Sequence, residues 1–171
     1  MNTKLLAVLF LGMMLIKQFD VKEQTYYTIW QTYCVTEEQR LNSSTECKCS
    51  ATPLTLEEFK FFARVVEAES DRSASRDGKR LIACVIINRT FNSNSFPDTV
   101  TGVLTQSGQF AVVQSGRCNV QSTKESELAI VEAFEMVANE EVPANLLFFN
   151  SIGYNGTPYA LVDGNYFILG G

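Results

Sequence analysis

The sequence predicts an α+β fold that is mostly helical, with a small β element near the C-terminus. Two segments combine a capping box with apolar residues at helical spacing, and residues 81–87 are almost wholly apolar. Short apolar runs bounded by turn residues follow only after residue 145. The length of 171 residues corresponds to one domain with some excess, at about 150 residues per domain.

The composition excludes several classes of function. The chain has no histidine, which excludes a Ser-His-Asp triad, a Cys-His pair and the zinc sites that need imidazole. Its 14 basic and 19 acidic residues give a net charge of -5, whereas nucleic-acid binders have a basic surplus. We therefore expect no nucleic-acid partner, and acid–base chemistry must come from carboxylates, Lys, Tyr or Cys.

The N-terminus predicts a targeting segment. Residues 5–16 form one apolar run, LLAVLFLGMMLI, which is shorter than the ~20 residues of a spanning helix and typical of a signal-peptide core. We expect residues 1–16 to be a signal peptide or a short anchor, with a buried N-terminal helix as the alternative. The protein is then exported to the cell envelope, the periplasm or the extracellular space, and contacts a membrane only through this segment if it is uncleaved.

Residues 17–53 are interpreted as a Cys-containing linker segment, and residues 54–171 as the main domain that begins after Pro53. An oxidising compartment allows four cysteines to pair in any of three ways, although Cys47 and Cys49 are too close to favour each other. The four are Cys34, Cys47, Cys49 and Cys118. A zinc site built from the same four is the alternative. Cys84 lies in an apolar run and is expected to be a buried small hydrophobe.

The first helix of the main domain is predicted from Thr55 to about Glu69. Thr55 and Glu58 form a capping box, and the apolar stripe that follows predicts the buried face. This stripe consists of Leu56, Phe59, Phe62, Ala63 and Val66. Glu69 falls near the azimuth of Phe62 and Glu67 on the opposite flank, so the two acids cannot form a facing pair.

The middle of the domain reads as helices joined by polar segments. Residues 70–78 are predicted as a loop, and residues 79–89 as a helix buried on most sides at the centre of the domain. Residues 92–97 form a turn, Asp98 caps a short helix to about Thr105, and residues 107–117 are loop or irregular.

The last third predicts one more helix and the β element. Ser122 and Glu125 form a second capping box for a helix that ends near Asn139. Its inward residues are predicted to be Leu128, Val131, Phe134, Val137 and Ala138. Residues 146–149 form a strand candidate, a turn follows at 155–156, and residues 159–169 return as a second strand, with Asp163 as a turn residue.

Glu69 is the candidate acid. Desolvation by Phe62 and Val66 would raise the pKa of its carboxyl and keep it protonated near neutral pH, as a general acid requires. The alternative is an ordinary solvated acid at a helix end. Arg89, at the end of the apolar helix, is interpreted as a structural residue that pairs with an acid or caps carbonyl groups.

Five motifs occur in a fixed order: ARVVEAES at 63–70, GKRLIACVIINR at 78–89, FPDTVTGVLTQSGQF at 96–110, NLLFFN at 145–150 and DGNYFI at 163–168. This succession resembles the catalytic domain of the SleB-type cell-wall hydrolases, the spore cortex-lytic family, over residues 54–169. The resemblance implies a compact lysozyme-like or transglycosylase-like domain. It also implies cleavage of peptidoglycan glycan strands between N-acetylmuramic acid and N-acetylglucosamine, without a metal or an organic cofactor.

The family's catalytic acid matches Glu69 here. The resemblance further implies Gln109 and Asn150 as substrate-binding residues, together with Tyr166, which stands where the family has a histidine. One acid is enough for a lytic transglycosylase, because a hydroxyl of the substrate itself is the nucleophile. A hydrolytic outcome remains the alternative if Glu67, Asp71 or Asp77 serves as a second acid. Residues 70–73 depart from the family pattern, which leaves a non-catalytic wall-binding module as a second function.

Overall fold

Five helices and a three-stranded sheet make up the part of the chain that this computed structural model describes, which is residues 54–70, 74–92 and 94–171. The helices are α1 (Leu56–Glu69), α2 (Arg76–Phe91), α3 (Val100–Thr105), α4 (Ala111–Gln114) and α5 (Lys124–Ala138). The strands are β1 (Leu146–Asn150), β2 (Thr157–Val162) and β3 (Asn165–Leu169). The mostly helical α+β fold class is therefore confirmed.

Helix α2 lies at the centre of the core, as its apolar sequence predicts. Twelve of its 16 residues are buried, and it packs against α1, α3, α5 and β1. Cys84 is fully buried within it, which confirms the prediction of a small core hydrophobe. A helix that is apolar on all sides can be stable only when other elements surround it.

The start of α2 corrects the predicted loop over residues 70–78. The helix begins at Arg76, because the hydroxyl of Ser75 accepts a hydrogen bond from the backbone N–H of Gly78. Asp163, which is distant in sequence and lies between β2 and β3, holds this cap in place. Its Oδ2 accepts hydrogen bonds of 2.8 Å from both the backbone N–H and the hydroxyl of Ser75.

Helix α1 has the predicted bounds and the predicted capping box between Thr55 and Glu58. Its buried face is shifted from the predicted stripe: Val65 is fully buried, whereas Leu56 is half-buried near the helix start. The face is wider than one stripe because α1 contacts both α2 and α5.

The caps of two later helices lie one residue further along than predicted. Thr99, not Asp98, caps α3, and its hydroxyl accepts the N–H of Gly102. Thr123, not Ser122, caps α5 in a box with Ser126. The turn α4 occupies part of the segment that was predicted to be irregular. The buried residues of α5 are Ser126, Ala129, Ile130, Val131, Ala133 and Phe134, whereas Leu128, Val137 and Ala138 are half-buried.

The sheet is antiparallel with the order β1-β3-β2. The single strand predicted over 159–169 is wrong, because the chain reverses at Asp163 and Gly164 and forms a hairpin. These residues have φ values of 50° and 77°, the left-handed pair that a tight hairpin turn needs. The prediction of Asp163 as a turn residue is confirmed.

The predictions for residues 1–53 lie outside the described residues, as do Cys34, Cys47 and Cys49. Cys118 is a buried free thiol. Within the described ranges, no helix has the length and apolar character needed to cross a membrane.

Candidate active site

Glu69 is the last residue of α1 and is half-buried. Burial raises the pKa of its carboxyl, and this effect exceeds two opposing ones from the backbone N–H of Val112 and the positive charge of Arg117. The raised pKa agrees with the prediction from the apolar residues of α1. The carboxyl thus keeps its proton to a higher pH than an ordinary glutamic acid.

The segment that contacts Glu69 is held rigidly by its own backbone. The carbonyl of Val112 accepts the N–H of Cys118 at 3.0 Å, and the carbonyl of Val113 accepts the N–H of Gly116 at 3.2 Å. Gly116 has a φ of 74°, which favours glycine and turns the chain back toward Val112. Arg117 lies between Gly116 and Cys118, whose N–H groups make these two bonds, and its side chain is exposed to solvent.

The three predicted substrate-binding residues lie on two connected elements. Gln109 is exposed in the turn before α4, and its N–H donates to the carbonyl of Gln106 at 3.2 Å. Asn150 ends β1 and pairs with Tyr166 of β3. The ring of Tyr166 meets that of Tyr154 edge to face, with 4.9 Å between ring centroids.

A ring contact connects these two elements. Phe110 follows Gln109 and Phe149 precedes Asn150, and the centroids of the two rings are 6.4 Å apart. The side chain of Asn150 also stabilises the segment after β1, because its Oδ1 accepts hydrogen bonds from the N–H groups of Ile152 and Gly153. Among the described residues, no hydrogen bond joins Glu69 to Gln109, Asn150 or Tyr166.

The other candidate acids have partners. Glu67 accepts hydrogen bonds from Lys79 and Thr123, and Asp77 forms an ion pair with Arg80. Burial tends to raise the pKa of Glu67, but the hydrogen bonds from Thr123 and Lys79 and the Lys79 charge lower it overall. Asp71 lies outside the described residues. Neither Glu67 nor Asp77 is therefore an unpaired carboxyl beside Glu69.

Glu135 is the other described carboxyl whose pKa is raised. Burial contributes most to its pKa shift, and the like charges of Glu132 and Glu141 add to it. It lies in the second half of α5, outside the five motifs. Glu69 differs from it because the backbone N–H of Val112 and the charge of Arg117 oppose the rise of its pKa, whereas like charges add to the rise at Glu135.

Arg89 is a structural residue, as its position in the sequence indicates. The side chain is buried, and its Nε donates to the carbonyl of Leu147 at 2.7 Å. The guanidinium lies 4.8 Å from the ring centroid of Phe96 and 5.5 Å from that of Phe110. Burial lowers its pKa to about 10, so the group stays cationic at neutral pH.

Three features of this arrangement are not predicted by the sequence: the position of the Val112 N–H, the charge of Arg117 near Glu69, and the hydrogen bonds from Ser75 to Asp163. A backbone donor has no residue signature, and nothing near Arg117 in the sequence points to Glu69. The Asp-Gly dipeptide at 163–164 is a recognisable hairpin signal, but it does not indicate which distant residue the carboxylate of Asp163 binds. In the described part of the chain, no cluster of three or more Cys, Asp or Glu residues is arranged to hold a metal ion.

Comparison with known proteins identifies the family. The model of a family described as Cell Wall Hydrolase matches residues 73–161, which is more than half of the chain. Glu69 lies just before the matched range, whereas Gln109 and Asn150 lie inside it. No curated protein shows significant similarity to the sequence.

Two solved structures have the same fold. The catalytic domain of the germination-specific lytic transglycosylase SleB from Bacillus anthracis is 24% identical, with a TM-score of 0.56 over 67% of this chain and 96% of that one. The catalytic domain of the Bacillus cereus SleB protein is 22% identical, with a TM-score of 0.60 over 73% of this chain and 99% of that one. The family match and the shared fold together show that the chain belongs to the cell wall hydrolase family and is an enzyme that lyses peptidoglycan.

Proposed function

We propose that the protein cleaves peptidoglycan glycan strands between N-acetylmuramic acid and N-acetylglucosamine as a lytic transglycosylase, with Glu69 as acid and then as base. Residues 54–171 form the catalytic domain in this proposal. The observation that carries it is the half-buried carboxyl of Glu69 at the end of α1, whose pKa is raised by burial. The B. anthracis protein with the same fold is itself described as a lytic transglycosylase.

The first step needs a protonated carboxyl. Glu69 donates its proton to the oxygen of the glycosidic bond, and the bond to the anomeric carbon of the muramic sugar breaks as positive charge develops on that sugar. The departing sugar leaves as a neutral alcohol. Glu69 is now a carboxylate, which the Val112 N–H and the Arg117 charge stabilise.

The second step uses the same carboxylate as a base. It takes the proton from the 6-hydroxyl of the muramic sugar while that oxygen bonds to the anomeric carbon of the same sugar. The product is a 1,6-anhydro ring, and Glu69 regains its proton. The nucleophile is tethered to the reacting carbon, so its effective concentration is high and no positioned water is needed.

The pairing of the neighbouring acids favours this route over hydrolysis. An ordinary glycosidase needs a second carboxylate to activate water or to attack the sugar. Glu67 is bound by Lys79 and Thr123, and Asp77 by Arg80. With these acids engaged, Glu69 is the candidate acid among the described residues that is left to move the proton in both directions.

We propose that Gln109, Asn150 and Tyr166 bind the glycan strand next to Glu69. Gln109 is exposed and offers an amide to sugar hydroxyl and acetamido groups. The half-buried ring of Tyr166 offers a surface for a sugar. Because its substrate is the wall, the protein is exported in this proposal, with residues 1–16 as the signal or anchor.

The purified full-length protein, incubated with peptidoglycan, tests the proposal through mass spectrometry of the released fragments. We expect ends that lack one water, the mark of a 1,6-anhydro ring, from the wild type and from Glu135→Gln. Glu69→Gln should yield about 100-fold less product or none, because general acid catalysis is lost. Glu135→Gln is the matched control, since it also removes a carboxyl with a raised pKa.

Other products would change the conclusion in defined ways. Reducing ends from the wild type would indicate hydrolysis in place of transglycosylation. Equal product from Glu69→Gln would contradict the role of Glu69. Cosedimentation with the wall but no product from any variant would indicate the non-catalytic module that the departures at residues 70–73 suggest.

A further inference from the structure

Glu67 takes part in a junction of three helices, two residues before the proposed acid. Its Oε2 accepts a hydrogen bond of 2.9 Å from the ammonium of Lys79 and one of 2.7 Å from the hydroxyl of Thr123. Glu67 belongs to the last turn of α1, Lys79 to the first turns of α2, and Thr123 is the N-cap of α5. We call these three residues the Glu67 clasp.

The Lys79–Glu67 pair of the clasp is largely buried, unlike the other ion pairs near it, whereas Thr123 is exposed. The exposed fractions of the side chains are 6% for Lys79 and 13% for Glu67, against 42% and 55% for the Arg76–Glu125 pair. Removing charges from water to this degree is costly, and losing one partner leaves the other buried without compensation. The geometry of the three groups is therefore tightly determined.

The clasp holds the helix end that carries Glu69. After Glu67, α1 is closed by Ser70, whose N–H donates to the carbonyl of Val66 and whose hydroxyl donates to that of Glu67. The last turn of α1 contains no basic residue, so the ammonium of Lys79 supplies the cation that a helix C-terminus favours.

The position of Glu67 relative to Glu69 completes the argument. Two residues on a helix are about 200° apart, so the side chains of Glu67 and Glu69 leave α1 on opposite flanks. When the clasp fixes one flank against α2 and α5, rotation of the last turn is prevented. The carboxyl of Glu69 then stays on the other flank, and α1 also packs against α4, the element that contains Val112.

We propose that Glu67 is a positioning residue, which through its clasp with Lys79 and Thr123 holds the carboxyl of Glu69 in the geometry for proton transfer. This inference rests on the proposed role of Glu69. The clasp touches neither Gln109 nor Tyr166, so it acts on the chemical step and leaves glycan binding unaffected.

Steady-state kinetics of the full-length protein on soluble glycan strands test the clasp. We expect Glu67→Gln and Lys79→Met to lower kcat by 10- to 100-fold, on the order that a displacement of about 1 Å produces, with KM unchanged. Arg76→Gln is the matched control. It breaks the exposed link between α2 and α5 without touching α1, and should retain kcat within about twofold.

A charge-reversed pair separates positioning from stability. Glu67→Lys combined with Lys79→Glu should recover at least part of kcat lost in either single variant, because the ion pair is rebuilt between the same helices. All rates are compared at a temperature where circular dichroism shows each variant folded. If Glu67→Gln does not fold, Glu67→Asp, which keeps the charge on a shorter stem, takes its place and is expected to give an intermediate kcat.

The outcomes distinguish this inference from the proposed function. Unchanged kcat in folded Glu67→Gln, with Glu69→Gln inactive, overturns the clasp and leaves the role of Glu69 intact. A rise in KM at constant kcat also overturns it, since the residue would then act on binding. Full activity of Glu69→Gln would instead remove the proposed function on which the clasp depends.

Discussion

At the scale of single residues, the carboxyl of Glu69 reflects a balance between burial and polar contacts. Burial favours its protonated form, whereas the N–H of Val112 and the charge of Arg117 favour the carboxylate. A group that must give a proton and then take one back needs both forms within reach near the working pH. Arg117 is exposed, so its side chain can be changed without disturbing the core.

Arg117→Gln should move the pH profile of the enzyme. Removing the cation raises the pKa of Glu69 further, because the effect of burial is then less opposed. Activity that needs protonated Glu69 falls as pH rises through this pKa. In a plot of kcat against pH, the descending limb should therefore shift to higher pH. Arg76→Gln, whose cation pairs with Glu125 and Glu132, should leave the limb in place. A shift to lower pH would contradict the account.

Arg89 illustrates what a residue identity alone can and cannot tell. The sequence predicts a structural arginine at the end of an apolar helix, and the bond from its Nε to Leu147 confirms it. The rings around the guanidinium were not predictable, since Phe96, Phe110 and Phe148 come from three separate segments. Contacts between distant segments leave no local pattern.

At the scale of secondary-structure elements, the helix caps show where local sequence is sufficient. The box of Thr55 and Glu58 lies within four residues and was predicted correctly. The starts of α3 and α5 were each displaced by one residue, because several adjacent Ser, Thr or Asp side chains compete for the same cap. Helix α2 starts early because Asp163, 88 residues away, fixes its cap.

Asp163→Gly should destabilise the domain through α2. Glycine readily adopts the positive φ at this position. The loss of stability therefore reports on the two hydrogen bonds to Ser75. We expect the free energy of unfolding in urea to fall by about 1–2 kcal/mol.

Asp163→Asn is the matched control for this substitution. It keeps one oxygen acceptor and tolerates the same φ, and should cost less than Asp163→Gly. Equal stability of the wild type and Asp163→Gly would show that Ser75 caps α2 unaided.

At the scale of the whole molecule, the site lowers the stability of the fold that holds it. The pKa of Glu69 is raised in the folded state, so its contribution to stability is fully present below the unfolded pKa and is lost as pH rises through the folded pKa. Glu67 has a lowered pKa and the opposite dependence: its contribution is present above the unfolded pKa and is lost as pH falls through the folded one.

Glu69→Gln should therefore unfold at a higher temperature than the wild type at neutral pH. Glutamine has nearly the same shape and no charge to desolvate, so the cost of burying the carboxylate disappears. Below the ordinary glutamic acid pKa of about 4.3, where the carboxyl is protonated in both states, the two melting temperatures should converge. A less stable Glu69→Gln at pH 7 would indicate that the contact with Val112 outweighs burial.

The site as a whole was predictable only in part. Glu69 is a candidate from sequence because five ordered motifs and the apolar residues of its helix point to it, and both are properties of neighbouring residues. Its partners Val112 and Arg117 lie more than 40 residues further along the chain, and only folding brings them to it. The same reason hides the clasp, whose members come from three helices.

The central position of α2 limits where recombination can cut the coding sequence. Helices from both sides of it in the chain, and a strand of the sheet, all rest on this one segment. Its buried residues belong to one core cluster with residues of these elements. A crossover between related sequences within residues 76–91 would thus change the packing on several faces at once, so we expect chimeras joined outside this helix to fold more often.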